Sequence, residues 1–189
     1  MIGLDHIPIH HEPRSEPLVL PWPADGTPLA FLSFSTSGEW RNFIETLGLH
    51  SAIPSIVTTK YHRAQKLYYL CWVDFDLIKA GELVALTALE LALKDRYGNM
   101  KFDQLLVHMV KKDGLTNDKV PLVRRCGGNV VSRLLGEARP TPADIRNSLA
   151  HGDPFDGLPQ AGLIELVRDL IEYAYRDTIR EYQSRQCGS

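Results

Sequence analysis

The spacing of apolar and polar positions changes character at Ser37. Before it, residues 1–36 alternate short apolar runs with prolines, and "PLVLPWPADGTPLAFLSF" gives two extended pieces around Asp25-Gly26, a dipeptide suited to a hairpin turn. The proline density excludes regular helix there and predicts an N-terminal extension or β-hairpin arm. From Ser37 the period is helical. "SGEWRNFIETLG" places Ser37 as the N-cap of a short amphipathic helix closed by Gly48. After Pro54, the residues Ala64, Leu67, Tyr68, Cys71, Phe75 and Ile78 recur at steps of three and four and predict one long helix with a single buried stripe. The run "LVALTALELAL" (83–93) is apolar almost all round, as expected of the central helix of a bundle, and Glu90 is its only charge.

The segment "KFDQLLVHMVKKDG" carries the cleanest amphipathic pattern, with Phe102, Leu105, Leu106, Met109 and Val110 on one face, lysines in the last turn and Gly114 as terminator. Residues 115–140, interrupted by Pro121, Gly127, Gly128 and Pro140, read as a long connection with one short helix near Val130–Leu135. Thr141 as cap, or Pro142 as first residue, opens a helix carrying "ADIRNSLA". A last helix is predicted from about Leu158 to Tyr182, with Leu163, Leu166, Val167, Leu170, Ile171 and Ala174 inward. The expected fold class is all-α: a bundle of about five helices over residues 37–189, preceded by the proline-rich extension 1–36.

At 189 residues the chain is long enough for one domain with a full core, and its 44% apolar and 23% charged residues are ordinary globular usage. No segment approaches the roughly 18 uninterrupted apolar residues of a membrane span. The start "MIGLDHIPIHHEPR" lacks the basic and then apolar pattern of a secretory signal. Cys71, Cys126 and Cys187 are odd in number and far apart, which suggests neither a disulfide framework nor a zinc knuckle. A cytoplasmic protein without metal or cofactor is expected. The formal net charge of −2 argues against a generally basic coat, yet eight cations stand against four carboxylates between Lys111 and Arg146. That window either steers a polyanion or is an ordinary solvated surface.

The stretch "IRNSLAHGD" (145–153) concentrates the candidate chemistry in Arg146, Asn147 and His151. Arg-x4-His alone is expected roughly 0.5 times by chance in this composition, and about 0.01 times with Asn at the second position. On a helix Asn147 and His151 are i, i+4 neighbours, whereas Arg146 and His151 lie about 140° apart. Gly152 and Pro154 put His151 in the last turn, where the helix dipole favours imidazolium and a proton-transfer role near neutral pH. Arg146 offers planar charged donors to phosphate oxygens, and Asn147 can orient the imidazole or a nucleotide.

With "ELVALTALELALKDRYG" and "FDQLLVHMVKKDGL" before it and a long helix after it, this motif resembles that of the HEPN superfamily of small helical bundles, over roughly residues 55–182. The resemblance implies a homodimer and a metal-independent endoribonuclease of defence or toxin–antitoxin type, with Arg146, Asn147 and His151 as its site. RNA, and an antitoxin or a nucleotidyltransferase-like protein, are the implied partners. The alternatives are a non-catalytic RNA- or nucleotide-binding module and a structural or regulatory dimer. The plainest reading of the same residues is a helix end at which Arg146 pairs with Asp144 or Asp153.

Glu90 is an auxiliary candidate, since a carboxylate in an apolar helix needs a partner and can brace Arg146 from behind; otherwise it surfaces at the bundle's edge. His6, His10 and His11 sit in a proline-rich arm without cysteine or clustered carboxylates, a poor metal site. His108 lies off its helix's apolar stripe and is expected at the surface. "CGGN" (126–129) lacks the Lys-Ser/Thr of a phosphate loop and reads as a turn, and Tyr68, Tyr69 and Trp72 read as packing.

Overall fold

The computed structural model of the chain describes residues 14–152 and 157–187. Strands β1 (Leu18–Pro21) and β2 (Phe31–Phe34) pair antiparallel in the register Leu18↔Phe34 and Leu20↔Leu32, and a narrower bridge between Ala24 and Thr27 turns at Asp25-Gly26. Gly26 takes φ +67°, a region that only glycine occupies without strain. One face of this hairpin joins the helical core: Leu18, Leu20, Trp22 and Phe34 are buried, and the Trp22 ring meets Phe43 edge-on at 4.9 Å.

Nine α-helices follow among the described residues: α1 Ser37–Thr46, α2 Ser55–Leu70, α3 Leu77–Tyr97, α4 Phe102–Lys111, α5 Pro121–Cys126, α6 Val130–Leu134, α7 Pro142–Ala150, α8 Leu163–Ala174 and α9 Arg176–Cys187. The expected central helix is α3, packed by α2, α4, α7 and α8. Its Leu86, Leu89 and Leu93 are fully buried, each contributing about 1.5–3 kcal/mol by removal from water. Gly81 permits the close approach of α2, because a Cβ there would stand 2.7 Å from the Tyr68 ring. Among the described residues no helix is long and apolar enough to cross a membrane.

The bundle has more and shorter helices than the expected five, and each difference has a local cause. The cap of α1 is Thr36, not Ser37: its hydroxyl accepts from Glu39 N–H, and the Glu39 carboxylate accepts from the Thr36 N–H. The stripe Ala64 to Ile78 crosses a break. The chain turns at residues 71–76, where Asp74 accepts the Asp76 N–H, and Asp side chains that bind nearby backbone oppose helix propagation. Cys71 and Ile78 nevertheless reach one core, which is why the periodicity survived the turn.

The connection 115–140 holds α5, opened by Pro121, besides α6, and the Asn117 side chain ties it by accepting from the Val130 and Val131 N–H groups. The last helix begins at Leu163, not near Leu158, and divides at Tyr175. Gly162, at φ +64°, turns the chain into α8, and a side chain there would strike Pro23 at 2.8 Å. At the division, the Tyr175 hydroxyl donates to Asp95 and Arg176 grips Asp113 with both terminal nitrogens. The six residues expected to face inward on α8 are all buried.

Candidate functional site

Helix α7 is built by the local chemistry its sequence announces. The Thr141 hydroxyl accepts from Asp144 N–H at 3.0 Å, the Asp144 carboxylate accepts from Thr141 N–H at 2.9 Å, and Pro142 occupies the first turn. The backbone hydrogen bond from Thr141, aided by Arg139, holds the Asp144 carboxyl below its ordinary range. At the other end His151 is the C-cap, its N–H donating to the Asn147 carbonyl at 3.0 Å, and Gly152 follows at φ +94°.

Arg146 projects from α7 toward α3. Its Nη2 lies 2.9 Å from Glu90 Oε2, while the other Glu90 oxygen lies 2.8 Å from Lys94 Nζ. Beneath it the guanidinium carbon sits 5.6 Å from the centre of the Phe102 ring. Two anchors of different chemistry therefore fix the guanidinium, and its Nε is buried without a hydrogen-bond acceptor among the described residues. The bracing role anticipated for Glu90 has its geometry here; the alternative pairing of Arg146 with Asp144 does not, because Asp144 is taken by Arg139. Asp153 and Pro154 lie outside the described residues.

These side chains border an open hollow of about 1000 Å³ between the end of α3, the start of α4, the end of α6 and α7. Arg146 and Asn147 line it together with Lys94, Lys101 and Arg139, against Glu90, Asp103 and Asp144, over an apolar floor that includes Leu106 and Leu134. Such a wall suits an anionic or mixed polar ligand, with Arg146 as the pre-oriented donor. His151 is exposed and is not among the residues lining this hollow. Within one chain the fold thus brings together Arg146, Asn147 and Glu90, and leaves His151 apart on the same helix.

Lys94, Phe102 and Arg139 were missed from the sequence. Lys94 was legible as the i+4 partner of Glu90. Phe102 read only as core, and it is that as well, at 2% exposure.

Other candidates take structural places. Tyr68, Tyr69 and Trp72 are buried packing residues, and "CGGN" is a turn with Gly127 and Gly128 at positive φ that leads into the Asn129 cap of α6. His108 is half-buried against the Tyr97 ring, 4.7 Å between centres, and not at the surface as expected. His6, His10 and His11 lie outside the described residues. Among the described residues no group of three or more His, Cys, Asp or Glu is placed to hold a metal ion. In the cationic window, Arg125 pairs with Glu165 and Asp25, Arg139 with Asp144 and Arg146 with Glu90, so three of its eight cations are matched by carboxylates from within and beyond it.

Family models, curated proteins and solved structures were each compared with the chain, and none matches.

Proposed function

We propose that the chain is a HEPN-like, metal-independent endoribonuclease of defence or toxin type that acts as a homodimer. The observation that carries this reading is the divergence on α7: Arg146 and Asn147 border a hollow, while His151 stands exposed one helical turn beyond them. One chain supplies a phosphate-gripping half and a proton-transferring half that do not meet. A two-fold axis near the end of α7 brings the partner's His151 to each hollow and completes both.

Cleavage then needs no metal. A neutral imidazole takes the proton of the 2′-OH as its oxygen attacks the adjacent phosphorus, and Arg146 donates to the non-bridging oxygens as their charge grows. The bond to the 5′-oxygen breaks, an imidazolium returns a proton to it, and the products are a 2′,3′-cyclic phosphate and a 5′-hydroxyl. Glu90 and Phe102 hold the guanidinium in place for this role, and Asn147 orients the nucleotide or the imidazole.

The test is incubation of mixed RNA with the protein in EDTA. Wild type cleaves, Arg146→Ala and His151→Ala do not, and mixing the two inactive variants restores about one quarter of wild-type activity, because half the dimers are mixed and each has one intact composite site. A strictly monomeric protein with full activity breaks the dimer reading. The same divergence supports a second reading, a module in which Arg146 and its neighbouring cations grip phosphate without turnover; it predicts RNA binding that Arg146→Ala weakens, and no cleavage by any form.

A further inference from the structure

Helix α2, "SIVTTKYHRAQKLYYL", carries no acidic residue in 16 positions. Its buried stripe is Val57, Tyr61, Ala64, Gln65, Tyr68 and Tyr69. Lys60, Arg63 and Lys66 recur on the opposite side at steps of three, and each step falls about 60° short of a full turn, so the three side chains share roughly 120° of outward arc. Among the described residues none of the three forms an ion pair or a hydrogen bond. Several cations elsewhere are matched, Lys79, Lys94, Arg125, Arg146 and Arg176 each meeting a carboxylate at 3.2 Å or less, whereas Lys111, Lys112 and Arg124 form no ion pair among the described residues. Burial pushes the His62 imidazole on the same helix below its ordinary value, and the Lys66 charge adds to the effect.

The file of cations runs about 9 Å along the helix axis, roughly the rise of three stacked nucleotides at about 3.4 Å each. Its Lys60 end is level with Glu90 along the bundle axis but on the other side of α3 from the candidate hollow, since Gly81 and Glu90 stand nine residues, about 180°, apart on that helix. Gly81 of α3 abuts Tyr68 and Leu67 of α2, and the two helices run antiparallel from that contact. At about 1.5 Å per residue, Glu90 is level with residues 58–59, within one turn of Lys60. Ile56 is the one strongly exposed apolar side chain on this face, at 63%, too little apolar area to enter a bilayer.

We infer that the outer face of α2 is a docking ridge for the sugar–phosphate backbone of single-stranded RNA, contacted through Lys60, Arg63 and Lys66. The choice of RNA rests on the proposed function; the ridge itself rests on unmatched charge.

The test uses the full chain and a 5′-labelled, 20-nucleotide 2′-O-methyl RNA, which has no 2′-OH to attack, so binding is read apart from cleavage. Fluorescence anisotropy over a salt series compares wild type with K60Q/R63Q/K66Q and with K111Q/K112Q/R185Q, which removes the same charge elsewhere; circular dichroism melts verify folding. The expected result is a log–log salt slope shallower by about 2 in the α2 variant, at about 0.7 per lost phosphate contact, with the other variant close to wild type. Equal slopes for wild type and the α2 variant, an equal loss in both variants, or no binding by wild type overturns the ridge. If the α2 variant loses only its binding to vesicles of phosphatidylserine and phosphatidylcholine while RNA binding is unchanged, the RNA assignment is overturned in favour of a membrane. Binding with the expected slope loss, but no cleavage of ordinary RNA by wild type, overturns the ribonuclease and leaves the ridge standing.

Discussion

Glu82 and Glu90 sit on α3 two helical turns apart, and their surroundings could hardly differ more. Glu82 has no exposed surface: one oxygen accepts the Gln160 N–H, and the other lies 3.2 Å from Lys79 Nζ, which donates to the Leu158 carbonyl at 2.7 Å. The pair pins the segment before α8 onto the central helix. Glu90 borders the open hollow and divides its oxygens between Arg146 and Lys94. Burial decides what a carboxylate does for the molecule: inside, its desolvation makes it a determinant of stability, while at the edge the same group costs little and serves to hold a cation in place.

The largest expected difference is in stability. Glu82→Ala removes the acceptor for Gln160 and leaves Lys79 as an unpaired buried cation, and should destabilise by about 3–5 kcal/mol in urea titrations. Glu90→Ala should shift stability by no more than about 1 kcal/mol, because its pairs are partly solvated. Equal losses would break the contrast.

A pH series sharpens it. Burial raises the Glu82 carboxyl above its ordinary 4.5, with Lys79 opposing, so the folded chain holds this proton more tightly than the unfolded chain. The resulting stabilisation is complete below pH 4.5 and is lost as pH rises through the raised value. Asp169 and Glu172 are also raised by burial and act in the same sense, whereas the lowered Asp113 and Asp144 lose their contribution as pH falls below about 3.8. The stability of wild type relative to Glu82→Gln should therefore decline from pH 4.5 upward. A flat difference would place the titration elsewhere.

The smallest effect on stability should accompany a clear one on chemistry. Glu90→Gln keeps the shape of the bracing side chain but not its charge, and should lower kcat for the proposed RNA cleavage about tenfold with little change in KM. Glu90→Asp should recover part of the loss if charge near Arg146 is what matters. A matching fall in stability with unchanged kcat would reduce Glu90 to a scaffold residue.

Helix α7 was legible at both ends, because Thr141 and Pro142 act on its first turn and Gly152 on its last, each on backbone a few positions away. The angle between Arg146 and His151 was legible too, since it follows from helical pitch alone. The breaks at Asp74–Asp76 and Tyr175 were hidden, because apolar spacing continued through both and the side chains that hold the turns bind their own neighbours or distant helices. Charge misled in a different way: the window 111–146 is cationic in sequence, but Arg125 finds Glu165 40 positions away and Arg146 finds Glu90 on another helix. A further group of unmatched cations, Lys60, Arg63 and Lys66, lies outside that window on α2.

The helical period, the caps, the hairpin turn at Asp25-Gly26 and the identity of the central helix follow from interactions among near neighbours, and the chain carries them wherever it goes. The pairing of carboxylate with cation belongs to packing. Glu82 reaches Gln160 across 78 positions, and Arg146 reaches Glu90 only because α7 lies against α3. Contacts of that span are set by how amphipathic faces fit, and no local pattern encodes which charged side chain will stand opposite another.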